Sequence, residues 1–143
     1  MIDLTSGGIE AAINTAFERG KFCVVAYNGE DGYPSLSFRG STRVYSPTQL
    51  AVWARKPTEG LAAAPGHDPK VSVLYFGGSD AGPKLLSIQG TAHVADAETS
   101  AAFHPLMPQL EQEYGPVESG VVVIVDVTSV RGFGEAGAIE QTA

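Results

Sequence analysis

The segment Tyr33–Tyr45, YPSLSFRGSTRVY, decides how the rest of the chain is read. Its residues fall into two alternating sets, and a period of two marks a strand with two unlike faces. Leu36, Phe38, Gly40, Thr42 and Val44 make up the set assigned to a core. Ser35, Ser37, Arg39, Ser41 and Arg43 make up the other, small hydroxyls interrupted by two guanidinium groups about 13 Å apart at ~3.3 Å per residue. Upstream, KFCVVAY (Lys21–Tyr27) reads as a strand, joined through the turn-forming NGEDG (Asn28–Gly32). Downstream of the Ser46-Pro47 turn, QLAVWAR (Gln49–Arg55) returns antiparallel. Trp53 and Arg55 share one of its faces and extend the hydroxyl–arginine row.

The same alternation recurs outward. KVSVLYF (Lys70–Phe76) and KLLSIQGTAHVA (Lys84–Ala95) are strands separated by GGSDAGP (Gly77–Pro83). GVVVIVDV (Gly120–Val127) is apolar at successive positions, which predicts a central strand covered on both faces. A helix with Ile9, Ile13 and Phe17 on one side, capped by Thr5 or Ser6 and ended by Gly20, opens the chain. Lys56–Asp68 is a loop with at most a short helix. Asp96–Tyr114 is helical in composition and divided by Pro105 and Pro108, and the acids of Asp96–Glu118 are expected on a solvated helix face. The glycine-containing remainder is a tail. Six strands predict a mainly β fold, a small antiparallel barrel plugged by short helices. Its expected core is Leu36, Phe38, Val52, Val73, Leu86, Ile88 and Val123. With no repeat or linker, residues 1–143 are expected to make one domain, its heart spanning about 21–127.

Of 143 residues, 43% are hydrophobic and 17% charged, a globular composition. Neither a signal segment nor an apolar run long enough for a membrane span is expected. A lone cysteine, Cys23, forms no internal disulfide, pointing to a reducing cytoplasm and a core role for that thiol. The net charge of −7 argues against nucleic acid as a partner. The nine Lys and Arg are unevenly spread: Arg39, Arg43, Arg55 and Lys56 lie in one segment, and Gly32–Thr58 holds no Asp or Glu. An acidic protein with one acid-free, arginine-bearing stretch is built to hold a small anion there. Hydroxyls and Arg forks suit phosphate oxygens, and Trp53 offers a flat surface to a ring system.

The order of GYPSLSFRGSTRVYSPTQLAVWARKPTEGLAAAPGHDPKVSVLYF, then LLSIQGTAHV, resembles the pyridoxamine 5′-phosphate oxidase-like split-barrel flavoproteins from about Lys21 to Val127. The resemblance rests on an ordered set: Gly-x-Pro before the second strand, an aromatic-ended third strand, a polar loop, a Pro-x-Val opening to the fourth strand and a glycine in the fifth. It implies a six-stranded antiparallel split barrel that binds FMN at the interface of a homodimer. By that likeness Arg39 matches the family's basic second-strand position, with Ser37, Phe38 and Gly40 beside it. Trp53 and Ala54 match the third-strand pair beside the flavin. The family's Ser-Arg-Lys loop is replaced by Thr58, Glu59 and Gly60, so an acid stands where two cations are usual. Arg55 and Lys56 then supply charge from a shifted position, or the pocket takes a deazaflavin or heme instead, or is empty. The implied activity is a flavin-dependent oxidoreductase of unassigned substrate. The alternatives are a non-catalytic flavin- or heme-binding stress-type protein and a deazaflavin-dependent reductase.

Three other features carry no function. GFGEAG (Gly132–Gly137) spells a dinucleotide fingerprint but lacks the following helix and strand. His67, His93 and His104 lack metal-ligand spacing, so no metal is expected. Neither a Gly-x-Ser-x-Gly elbow nor a catalytic carboxylate pair is present.

Overall fold

The structure, a computed structural model, describes residues 1–143. Eight strands form one sheet: β1 (Cys23–Asn28), β2 (Pro34–Phe38), β3 (Arg43–Ser46), β4 (Gln49–Ala54), β5 (Lys70–Phe76), β6 (Pro83–Val94), β7 (Val121–Gly134) and β8 (Gly137–Thr142). Neighbours follow the order β2-β1-β5-β6-β7-β4-β3, with β8 added to β7, and every pair is antiparallel.

The aliphatic run at the start of β7 sets this arrangement. Val121–Asp126 pair with β4 on one side and with the end of β6 on the other, and Ser129–Gly134 pair with β8 and the start of β6. Between these halves the register slips at Gln89/Gly90, a bulge that turns the sheet. Gly90 is required there, since a Cβ would stand 2.3 Å from the Asp126 carbonyl oxygen.

Val25, Val52, Val73, Leu86, Ile88 and Val123 fill the barrel. Ile9 and Ile13 of α1 (Ile9–Asn14), with Ile2 and Leu4, join the same core. The other face of β4 and β7 has its own small core. There Ala51, Trp53, Val122 and Ile124 meet Phe103 of α2 (Ala97–Phe103) and Met107. Asp96 caps α2, its carboxylate accepting the Thr99 amide at 2.7 Å. After a 3-10 turn at His104–Leu106 and Pro108, one last turn forms α3 (Gln109–Gln112), so the two prolines divide this region as expected. No helix is long and apolar enough to cross a membrane.

Several expectations need correction. There are eight strands and not six, because Tyr33–Tyr45 is two strands and the supposed tail is paired. The end of β7 and β8 make a hairpin through GFGEAG, whose Gly137 sits at a φ of 108°. Tyr33–Tyr45 breaks at Gly40–Thr42 because hydroxyls there bond to backbone. Ser41 Oγ accepts the Trp53 amide at 2.9 Å, and Thr42 donates to the Arg39 carbonyl at 2.8 Å. Ser41 and Thr42 are both buried, so alternation ends at that turn. α1 begins at Gly8 without a side-chain cap, in place of Thr5 or Ser6, and ends at Asn14, short of Phe17 and Gly20.

Leu36 and Phe38 are not core: they are 67% and 72% exposed. The register explains the inversion. Buried Val25 stands opposite Ser37, which puts the hydroxyl face inward, while Phe38 stands opposite Val24 on the outer face.

Gly90→Ala should lower the thermal midpoint clearly. Forcing a methyl against backbone in a packed sheet costs about 1–3 kcal/mol, and a urea melt should show it as a lower midpoint with unchanged slope.

Candidate functional site

The ends of β2 and β4 come together beside β1, the strand paired with β2. Tyr27 from β1, Ser37 and Phe38 from β2, Arg39 just beyond it, and Ala54, Arg55 and Lys56 from the exit of β4 line one cavity. Glu59, Gly60 and Leu61 close its side, and its volume is about 530 Å³. That size suits a small-molecule ligand. The closing loop is anchored by Leu61, Ala62 and Ala64, buried in two short 3-10 turns, and Gly60 takes a left-handed φ of 54° at the bend.

Seven of the ten residues read from the sequence therefore line one cavity: Ser37, Phe38, Arg39, Ala54, Arg55, Lys56 and Gly60. Three do not. Thr58 lines a neighbouring hollow of about 710 Å³ that shares Tyr27, Glu59 and Gly60 with the first. Gly40 has its vacant side filled by the Phe17 ring, 2.6 Å from where a Cβ would stand. Trp53 is buried, edge-on to His104 at 5.1 Å between ring centroids and close against Gly120. The expectation that it shares an exposed face with Arg55 is wrong, because β4 lies between two cores and has no free face at that point.

The cavity is positively charged. Arg39 donates from Nε to Ser37 Oγ at 2.9 Å, which holds its guanidinium at the cavity wall. Burial holds the Arg39 pKa below its ordinary value and the Arg55 charge adds to this, while Tyr27 and Glu111 pull the other way. Arg55 lies over the Tyr114 ring, 3.7 Å from its centroid. A half-buried Arg39 beside a hydroxyl, with the exposed Arg55 next to it, offers donors for an anion's oxygens.

The neighbouring hollow has the opposite character, with Glu30, Asp31 and Glu59 around His67. The His67 Nε2 is 2.8 Å from the Asn28 carbonyl oxygen, and Nδ1 is 3.9 Å from Glu30. The other histidines lie elsewhere, His93 at 3.3 Å from Asp126 and His104 against Trp53. Burial pushes the Cys23 thiol up to about 12, so it is an inert core side chain at neutral pH.

Sequence reasoning missed Tyr27, Glu111 and Tyr114. Tyr27 reads as an ordinary strand aromatic. Glu111 lies among acids expected on a solvated helix face, yet its side chain is only 12% exposed.

No protein-family model matches the chain, and no curated protein does either. Solved structures match its fold closely. A Clostridium acetobutylicum protein related to general stress protein 26 of B. subtilis, of the pyridoxinephosphate oxidase family, superposes with a TM-score of 0.64 at 16% identity, covering 90% of each chain. A NimC/NimA family protein from Clostridium acetobutylicum gives 0.65 at 14% identity over 94% of each chain. An F420 reductase gives 0.59 at 15% identity, over 82% of this chain and 94% of its own. The chain therefore has the split-barrel fold of the pyridoxamine 5′-phosphate oxidase-like proteins.

Trp53→Ala should behave as a core deletion. It is expected to cost about 3–5 kcal/mol by urea unfolding, where an exposed strand ring would cost far less.

Proposed function

We propose that this protein binds a flavin nucleotide, FMN, in the Arg39–Arg55 cavity and acts as a flavin-dependent oxidoreductase. The observation that carries the reading is a three-cation cavity of Arg39, Arg55 and Lys56 in a protein of net charge −7. The residues fit the group. Arg39, Arg55 and Lys56 neutralise the phosphate, Ser37 adds its hydroxyl, and Tyr27, Phe38 and Leu61 give the apolar wall that a ring needs. Bound flavin supplies the hydride or electron transfer, and the protein orients it and excludes water.

The reading includes a homodimer. Phe38, on the cavity rim, also belongs to an outer face with Leu36, Leu74 and Phe76, all exposed, and the Phe22 and Phe38 rings are 5.8 Å apart. In the sheet Phe38, Val24 and Leu74 stand side by side, as do Phe76, Leu85 and Phe133. A continuous apolar face of this kind is covered by a partner. A second copy covering it would also close the mouth of the cavity at Phe38.

A deazaflavin is the second reading. Glu59 stands in the loop where the family places cations, lowering the charge available for phosphate, and one structural neighbour is an F420 reductase.

Arg39→Ala should weaken FMN binding about ten- to a hundredfold, since a charge-assisted bond contributes roughly 1.5–3 kcal/mol. Riboflavin, which has no phosphate, should bind both proteins alike. Flavin fluorescence titration checks this, and equal losses for the two ligands would remove phosphate from the cavity.

Sedimentation should give a dimer at micromolar concentration. Phe76→Lys, which puts a charge in the middle of the apolar face, should give a folded monomer.

A further inference from the structure

α3 is a single turn with no fully buried residue, yet the Glu111 side chain it carries is largely buried. Gln112 folds the turn back on itself, its Nε2 donating to the carbonyls of Pro105 at 3.2 Å and Met107 at 2.9 Å. Tyr114 then lies under the Arg55 guanidinium. Glu111 Oε2 is thereby held 3.9 Å from Arg55 Nη2. The same oxygen would be 3.3 Å from a Cβ at position 40, so Gly40 leaves it room beside Arg39.

Arg39, half-buried, and Arg55, more than half exposed, repel each other, and Glu111 attracts Arg39 as well as Arg55. The charged groups facing this point at pH 7 are Arg39, Arg55 and Lys56 against Glu59 and Glu111, with the Tyr27 and Tyr114 rings beside them. Three cations against two carboxylates leave one net positive charge. A phosphate monoester brings close to two negative charges at that pH.

We infer that Glu111 is a specificity-determining residue, a resident counter-ion that stabilises the empty arginine pair and lowers its affinity for doubly charged phosphate. This rests on the anion-cavity reading above and names the residue that sets how much ligand charge the cavity accepts. Glu111 does not line the cavity, and so need not leave for an anion to bind. Its charge opposes the incoming phosphate while it pairs with Arg55.

The test is Glu111→Gln, which keeps the shape and removes the charge. FMN, riboflavin and inorganic phosphate are titrated against both proteins, flavins by fluorescence and phosphate by calorimetry, with thermal melts of each apo protein. FMN and inorganic phosphate should bind the variant about tenfold more tightly, the order expected for one removed charge at a partly screened site. Riboflavin affinity should not change. Unchanged or weaker phosphate and FMN binding by a folded variant overturns the inference and makes Glu111 a mere positioning group for Arg55. Equal changes for FMN and riboflavin overturn it too. If Glu111→Gln does not fold, Glu111→Asp, which withdraws the charge by one methylene, should show the same order of preference to a smaller degree, and the lack of any preference overturns the proposal. Failure of the wild type to bind either flavin, with phosphate still tightened by the substitution, would remove the flavin and leave Glu111 in its role.

Discussion

β7 has to be dry on both faces along Val121–Val125, and the rest of the molecule follows from meeting that demand. One face is met by the barrel interior, where Val123 and Val125 join Val52, Leu86 and Ile88. The other is met by Phe103 and Met107 closing over Val122 and Ile124. Since β4 is hydrogen-bonded along this same stretch, it too is enclosed twice. It surfaces only where it ends, and its first exposed residues, Arg55 and Lys56, emerge beside Arg39. The cation cluster is thus a product of where a buried strand runs out.

Most strands were legible because alternation with turn residues between them is a strong local signal. The strand assignments for β1, β4, β5 and β6 needed nothing beyond it. Which face points inward was less legible. Leu36 and Phe38 alternate as core residues do, and period two alone cannot tell a core face from an outer face that some partner covers. Trp53 failed for a related reason: its exposure depends on α2, more than forty residues later in the chain. β8 was missed because GFGEAG and the residues beyond it are small and polar, with few apolar positions to mark a period.

The cavity was more legible than the fold around it, since charge segregation survives errors in strand geometry. Arg39, Arg55 and Lys56 converge although Tyr33–Tyr45 breaks at Gly40. What composition could not reveal was opposition. The Glu59 and Glu111 carboxylates approach this cluster from two different segments, one through the loop after β4 and one through α3. Glu59 also faces the acidic hollow around His67, so the two hollows share a wall and differ in sign. A ligand spanning both would be held by a field running along its length.

Trp53 is the chain's one tryptophan, and it sits where α2, the His104 turn and β4 meet. Tryptophan emission from this protein, excited beyond the tyrosine absorption band, is therefore a signal from one joint alone. A dry indole emits to the blue. Lifting of the helical segment from the barrel would redden that emission while the backbone signature of the sheet stayed as it was. The molecule carries its own optical gauge of whether the strap bearing Glu111 and Tyr114 is seated.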